Sequence, residues 1–149
     1  MKRASPKISR VGQGARLTLE SIPTDERVLA YTAGLFDGEG CIVTTDLQAK
    51  NKYKKHVRWG CRIGMTHEPT IRWLIATWGG KLYTEKPGPP RKPKYVWDVH
   101  GHLNCAALLS AIRPFLITKA HRADLALSQL RPYVDVLIRL TQVNTTGRL

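Results

Sequence analysis

Cysteines, acidic residues and long apolar runs are all scarce in this sequence of 149 residues. Its three cysteines, Cys41, Cys61 and Cys105, are widely spaced, which excludes a disulfide framework and a CxxC zinc site. No apolar run approaches the roughly 20 residues of a membrane span, and residues 1–10 lack the apolar segment of a secretory signal. Because 42% of the residues are hydrophobic, we expect one folded domain. The cysteine pattern and the missing secretory signal indicate an intracellular protein, and we expect no membrane association.

The shortage of acidic residues leaves the chain strongly positive. Lysine and arginine number 24 against 11 aspartates and glutamates, which gives a formal net charge of +13. Between Asp46 and Glu68 there is no acidic residue, and the basic residues of that stretch include Lys50, Lys52, Lys54, Lys55, Arg58 and Arg62. Such a surplus indicates a polyanionic partner, with nucleic acid favoured over acidic lipid. Charge alone does not separate a DNA enzyme from the generic basic surface of a ribosomal or organellar protein.

Turn residues and hydrophobic periodicity predict an ordered series of helices and strands. Strands are expected over 41–49, 55–65, 81–85 and 94–100. Helices are expected from the Thr24-Asp25 start to the glycines at 38–40, from Pro69 to Gly79, over 104–112 and 119–130, and after Pro132. This order predicts an α+β domain of the αββαββα type, whose helices cover one face of an antiparallel sheet and leave the other face open and basic.

The domain is expected to span residues 23–143, followed by a short tail, 144–149. The basic arm, 1–22, is expected to be flexible or to lie along DNA, and a weak mitochondrial presequence is a further interpretation of its composition.

The segment from Ala33 to Gly40 carries the clearest chemical signal. Ala33 and Gly34 are small enough to let a helix approach another backbone closely, and Asp37 and Glu39 follow between glycines. Carboxylates at the negative end of a helix dipole are unfavourable, so the pattern indicates a cation that offsets their repulsion. Carboxylate and backbone carbonyl oxygens suit Mg²⁺. The alternative is a polar turn that binds nothing.

The same segment, Thr32–Gly40, resembles the signature of the LAGLIDADG homing endonucleases, with Thr32 in place of the leading leucine and a GEG ending. Two further stretches are similar to that family in the same order. Gly79-Gly80-Lys81 resembles the turn after its second helix, and the segment 113–119 resembles the one that ends in its active-site lysine. The resemblance covers about residues 24–130 and implies a saddle-shaped, DNA-binding antiparallel sheet.

The resemblance implies a metal-dependent endonuclease that makes a staggered double-strand break in DNA. It places the protein in a bacterial or phage-infected cytoplasm or in an organelle matrix. Glu39 corresponds to the acid that holds the catalytic Mg²⁺, with the Gly38 carbonyl beside it, and Mn²⁺ and Ca²⁺ are further ions for that site. Lys119 corresponds to the active-site lysine, and His67 is the candidate for the auxiliary polar group after the second strand.

Because only one signature is present, the resemblance also implies a homodimer on a long pseudo-palindromic DNA site. The helix that carries the signature would pack on its twin about a two-fold axis. Ala33, Gly34 and Asp37 are the residues expected at that interface, with Asp37 capping or bracing the paired helices.

The open sheet face is expected to recognise double-stranded DNA. Arg58 and Arg62 lie an even number of positions apart, so they point the same way and suit bidentate hydrogen bonds to guanine. Thr44, Asp46, Lys94 and Asp98 are the further residues expected to contact bases. Lys50, Lys52 and Lys54 are expected to contact phosphates from a turn, with Lys55 beside them on the DNA.

The sequence allows three other interpretations. His100-Gly101-His102 suggests a histidine-rich nuclease site, but further ligands at zinc spacing are absent from the sequence. The same fold could instead bind intron RNA as a maturase, or bind DNA as a non-catalytic regulator. The presence of both Glu39 and Lys119 favours the nuclease.

Overall fold

The computed structural model describes residues 22–47 and 56–146, which form five α-helices, four β-strands and one short 3₁₀ helix. The helices are α1 (Glu26–Glu39), α2 (Glu68–Trp78), α3 (His102–Ile112), α4 (Ala120–Gln129) and α5 (Arg131–Thr146). The strands are β1 (Gly40–Leu47), β2 (His56–Met65), β3 (Lys81–Glu85) and β4 (Lys94–His100). The 3₁₀ helix, Arg113–Phe115, joins α3 to α4.

The four strands form one antiparallel sheet in the order β1-β2-β4-β3. Side chains alternate along β2, where Cys61 and Ile63 are fully buried while Arg58 and Arg62 are exposed. Period-two alternation of this kind divides a sheet into a buried face and a solvated face. The predicted α+β architecture, with helices on one face and a basic open face, is therefore confirmed.

Helix α3 lies at the centre of the hydrophobic core. Every residue from Leu103 to Leu109 is buried, and the helix contacts α1, α5 and strands β2 and β4. A helix that is apolar around most of its circumference is stable only when other elements surround it. Helix α3 therefore packs between the sheet and the outer helices, and it supports the element that carries the signature.

Two buried tryptophans fix the turn between α2 and β3. Nε1 of Trp97 donates a hydrogen bond to the carbonyl oxygen of Gly79 at 2.8 Å, and its ring centre lies 6.3 Å from that of Trp78. Gly79 and Gly80 adopt φ angles of 88° and 92°, which favour glycine. A Cβ atom at Gly80 would also lie 2.7 Å from Nε1 of Trp97. Both glycines are therefore required by the geometry of this turn.

The observed helices differ from the predicted ones at their ends. Asp25, and not Thr24, caps α1, because its Oδ1 accepts a hydrogen bond from the Arg27 N–H at 2.9 Å. Helix α5 begins before Pro132, which is tolerated in a first helical turn because its missing N–H would have no intrahelical partner there. The helix also continues to Thr146, beyond the expected end of the domain at 143.

Two predictions concern the chain beyond these elements. Residues 1–21 of the expected basic arm lie outside the described part of the chain. Within the described ranges, no helix combines the length and apolar character needed to cross a lipid bilayer.

Candidate active site and nucleic-acid interface

The C-terminal end of α1 presents Glu39 at the surface. Glu39 is the last residue of the helix and is exposed, and the chain turns directly into β1 at Gly40. A Cβ atom at Gly40 would lie 2.5 Å from the ring of Phe36, so only glycine lets the strand leave this close to the helix. The junction therefore fixes the backbone of Glu39 and leaves its carboxylate accessible.

The side chain of Lys119 binds the same end of α1. Its Nζ donates hydrogen bonds to the carbonyl oxygens of Phe36 at 2.9 Å and Asp37 at 2.8 Å. The last turn of α1, all of it described, has no basic residue of its own, and a cation there is favoured by the negative end of the helix dipole. Glu39 and the Nζ of Lys119, two of the three predicted catalytic residues, therefore lie at the same end of α1.

The Asp37 carboxylate ties α1 to the segment that carries Lys119. Its Oδ2 accepts a hydrogen bond from the Ile117 N–H at 2.8 Å, and its Oδ1 accepts one from the Lys119 N–H at 2.9 Å. Burial raises the pKa of Asp37, but the backbone N–H groups of residues 117–119 and the Lys119 charge outweigh it and hold the pKa below its usual value. Both oxygens of Asp37 therefore bind its own chain. The expectation that Asp37 caps or braces the paired helices stays a prediction.

The oxygen donors around Glu39 fit a hydrated divalent cation. A carboxylate and a backbone carbonyl, here that of Gly38, are hard ligands of the kind that Mg²⁺ combines with waters and substrate phosphates. Among the described residues, no group of three or more His, Cys, Asp or Glu side chains could hold a metal ion by itself. A cation at Glu39 would therefore complete its coordination with water, a phosphate or a second copy of the chain.

Small residues form a row along the exposed side of α1. Ala30, Gly34 and Gly38 follow each other at four-residue spacing, and all three are exposed. Cβ atoms at the two glycines would meet nothing within 4 Å. Ala33, which was expected at a dimer interface, is instead 0% exposed and packs in the core of its own protomer. That assignment is corrected, and Ala30 provides the exposed small residue that sequence reasoning missed.

The strand register decides which predicted DNA-binding residues share the open face. Arg62 on β2 lies opposite Asp98 on β4, and a Cβ atom at Gly64 would meet Cε of Lys94 at 2.5 Å. Arg58 lies on the same side of β2, four residues before Arg62. The structure therefore brings together four of the predicted DNA-binding residues on one surface.

Thr44 does not belong to that surface. It lies opposite Trp59, which is 7% exposed and part of the core, so the predicted base contact of Thr44 is corrected. Asp46 lies two positions further along β1, opposite Val57. Thr45, opposite Arg58, takes the place on the open face instead.

One basic residue of β3 also lies on the open face. Lys81 on β3 lies opposite Asp98, and the sequence prediction missed it because β3 was not included in the recognition surface. Four predicted DNA-binding residues lie outside the described part of the chain, namely Lys50, Lys52, Lys54 and Lys55.

His67 lies at the start of α2, immediately before its first residue. Its Nδ1 shares a hydrogen bond with the hydroxyl of Thr70 at 2.7 Å, and its ring lines a hollow with Tyr31 and Trp73. Tyr31 precedes Glu39 by eight residues on α1, which corresponds to about 12 Å along the helix axis. These contacts give His67 a place at the start of α2 and offer no support for the expected catalytic role.

Comparison with solved structures identifies the fold. The homing endonuclease I-CvuI, solved with the I-CreI target in the presence of Mg, matches with a TM-score of 0.62 and 22% identity over 72% of this chain and 68% of that chain. The archaeal intron-encoded homing endonuclease I-Vdi141I, solved with DNA, matches with a TM-score of 0.61 and 14% identity over 73% and 70% of the two chains. The LAGLIDADG homing endonuclease I-GzeII, solved with its DNA target, gives 0.55 and 20% over 69% and 35%. No protein-family model matches the sequence, and no curated protein is a significant match. The predicted LAGLIDADG homing endonuclease fold is confirmed.

Proposed function

We propose that this chain is a site-specific homing endonuclease that hydrolyses phosphodiester bonds in double-stranded DNA with the help of a divalent metal ion. The observation that carries the proposal is the joint position of Glu39 and Lys119. An exposed carboxylate and a held ammonium group occupy one helix end, and the strand that begins there belongs to a basic, open sheet.

The residues at this helix end have complementary roles in the proposed reaction. Glu39 and the carbonyl oxygen of Gly38 would hold Mg²⁺, which supplies charge stabilisation for the phosphate and an activated water when it is bound. Lys119 adds a fixed positive charge that favours the transition state over the ground state. Asp37 holds the backbone at Lys119 in place through the 2.9 Å hydrogen bond, so it positions the lysine and leaves metal binding to Glu39.

A single Glu39 serves one strand of a duplex, so cutting both strands calls for two protomers. The row formed by Ala30, Gly34 and Gly38 supports a homodimer, because small side chains let two helices approach closely about a two-fold axis. Two-fold pairing of identical sheets predicts a long pseudo-palindromic DNA site. The resemblance to homing endonucleases adds the expectation of staggered ends with 3′ overhangs.

Replacement of Glu39 tests the proposal. The substrate is DNA that carries the locus hosting this reading frame, without the insertion, incubated with the protein and Mg²⁺. The wild-type protein should make one discrete double-strand cut that EDTA abolishes, and Glu39→Gln should bind the DNA without cutting it. Glu26→Gln, which changes an exposed carboxylate at the opposite end of the same helix, is the matched control and should cut normally.

Three results would contradict the proposal. Cutting by Glu39→Gln at the wild-type rate would remove Glu39 from the reaction. Binding of wild-type protein to the intron transcript alone would favour a maturase, and binding to the DNA without cleavage would favour a regulator.

A further inference from the structure

Arg62 occupies an unusual position on the open sheet face, because its nearest neighbours on that face of its own strand are glycines. Gly60 and Gly64 flank it at the two positions of β2 that point the same way. The space above Gly64 is filled from β4, since a Cβ atom there would lie 2.5 Å from Cε of Lys94. The side chains that neighbour Arg62 on this face therefore come from other strands.

The contacts of Arg62 fix its orientation. Its Nε donates a hydrogen bond to Oδ1 of Asp98 at 3.1 Å, and its Cζ lies 6.0 Å from the ring centre of Tyr83 on β3. The other oxygen of Asp98, Oδ2, lies 3.7 Å from Nδ1 of His100. The Asp98 side chain is 15% exposed, whereas that of Arg62 is 43% exposed, so the carboxylate lies deeper than the guanidinium. The arginine is anchored at its base and accessible at its tip.

This arrangement leaves the outer edge of the guanidinium available. An arginine has five N–H donors, and the anchor occupies the one on Nε. The two terminal nitrogens then form a planar pair, which matches the N7 and O6 acceptors of guanine in the major groove. Because Asp98 already holds Nε, Arg62 has fewer rotamers available before the DNA binds. It therefore loses less side-chain entropy on binding.

Arg58 provides a comparison on the same strand. It is exposed on the same face, but among the acidic side chains that the structure describes, which do not include that of Asp46, none lies at salt-bridge distance from it. The Arg58 side chain is therefore suited to a DNA contact that does not require a fixed orientation. The anchored guanidinium of Arg62 is suited to a contact in one fixed orientation.

We propose that Asp98 is a positioning residue that orients Arg62 to recognise one guanine in each half-site of the DNA. The proposal rests on the proposed function, since it assumes that the open face binds duplex DNA. It replaces the expectation that Asp98 contacts a base itself. A carboxylate that accepts from Arg62 and lies beside His100 is turned toward other protein groups, and its negative charge is offset where the DNA would approach.

Selection from a library of random-sequence DNA duplexes tests this assignment. Protein carrying Glu39→Gln retains the sheet and prevents cleavage, so it serves as the parent for all variants. The parent should enrich sites with one strongly preferred guanine per half-site. Arg62→Ala should reduce that preference by roughly tenfold to a hundredfold, the range expected for a bidentate contact.

The Asp98 variants distinguish positioning from direct contact. Asp98→Ala should weaken the preference for the same guanine while total DNA binding is kept, because a negative charge has been removed from the interface. Asp98→Asn keeps an oxygen that can accept from Nε, so it should retain most of the guanine preference. It provides a second test of the anchor if the alanine variant folds poorly. Arg58→Ala should lower affinity and leave the preference for that guanine intact.

Three outcomes would overturn the assignment. A change of preference at a different base pair in Asp98→Ala would show that Asp98 contacts a base directly. An unchanged guanine preference in Asp98→Ala would show that Arg62 needs no anchor. A parent protein that enriches no DNA sequence would overturn the nuclease proposal, and this inference with it.

Discussion

The backbone N–H of Lys119 lies 2.9 Å from Oδ1 of Asp37, although 82 positions of sequence separate the two residues. The second oxygen of the same carboxylate accepts from Ile117, and the Lys119 side chain returns to the carbonyl oxygen of Asp37 at 2.8 Å. The end of α1 and the segment before α4 are therefore joined by reciprocal hydrogen bonds. This clamp fixes the distance between the signature helix and the proposed active-site lysine.

The clamp predicts a pH dependence of stability. Because the folded-state pKa of Asp37 lies below its usual value, the ionised carboxylate stabilises the fold at neutral pH. This contribution is present above the pKa of the unfolded chain and is lost as the pH falls through the lower folded-state pKa. Asp37→Asn should therefore lower the free energy of unfolding by about 1–3 kcal/mol at pH 7, and the difference should shrink below about pH 4.

Urea denaturation of both proteins across this pH range measures the effect. Asp135→Asn is a suitable control, since Asp135 forms an exposed pair with Arg131 at 3.6 Å and should contribute little. A stability difference that stays constant or grows as the solution becomes acidic would contradict the role assigned to Asp37.

Removal of the Lys119 ammonium separates catalysis from folding. Lys119→Met keeps much of the side-chain length but removes the hydrogen bonds from Nζ to two α1 carbonyl oxygens, of which that of Phe36 still accepts from the Gly40 N–H. We expect the cleavage rate to fall by about 10²–10³, in the range of a lost electrostatic contact to the transition state. Single-turnover cleavage at saturating protein, at a temperature where the variant is folded, measures this loss. DNA binding should change far less than the rate, and wild-type cleavage in Lys119→Met would exclude the proposed role.

A larger side chain at Gly34 tests the proposed dimer. Gly34→Met introduces a good helix former at an exposed position where an added Cβ atom meets nothing within 4 Å. The protomer should therefore become more stable by about 0.5–1 kcal/mol, whereas close approach of a second helix is blocked. Analytical ultracentrifugation should show a shift from dimer to monomer, with loss of double-strand cleavage. Gln129→Met, at an exposed position of α4, should leave the dimer intact; a dimeric Gly34→Met protein would place the interface elsewhere.

Much of the fold follows from local sequence signals. Strands β3 and β4 are observed at their predicted bounds, 81–85 and 94–100, because glycines and prolines mark their ends and the alternation within β4 is regular. The orientation of β1 could not be predicted in the same way. Thr44 and Thr45 are adjacent polar residues that follow the adjacent apolar pair Ile42 and Val43. The sequence therefore shows no alternation there that would assign residues to one face of the sheet. Pairing with β2 decides the outcome, and that pairing depends on residues more than ten positions away.

The candidate site likewise combines residues that the sequence predicts with contacts that it does not predict. The Glu39 position follows from the glycine-rich end of the helix, and Lys119 was found through the resemblance. The partners of Asp37 and Asp98 could not be predicted, since each hydrogen bond joins residues from distant parts of the chain. The rotation of α1 about its axis was also mispredicted, so that Ala33, which is buried in its own protomer, was assigned to the proposed interface and the exposed Ala30 was left out. Packing of α1 against α3, β2 and the 3₁₀ helix determines that rotation, and the sequence of α1 alone does not reveal it.

Thr32 stands where the signature of the family has leucine, and its surroundings explain the hydroxyl group. Thr32 is fully buried, donates a hydrogen bond to the Val28 carbonyl oxygen at 2.8 Å, and accepts one from Nε1 of Trp78 at 3.2 Å. A leucine there would leave the buried indole N–H without this partner. The departure from the signature is therefore matched by the tryptophan at the end of α2.

This pairing predicts that the two residues are energetically coupled. Thr32→Val keeps the shape of the side chain but removes the acceptor, so it should lower the free energy of unfolding by about 1–3 kcal/mol. Trp78→Phe removes the donor and leaves a cavity, so it should also destabilise. The double variant should be more stable than the sum of the two losses predicts, by roughly 1 kcal/mol, because no buried donor is then left unpaired. Urea denaturation of the four proteins measures this cycle, with Thr84→Val on exposed β3 as a control expected to change stability by less than about 0.5 kcal/mol. Strict additivity of the two losses would show that the hydrogen bond between Thr32 and Trp78 contributes nothing to the fold.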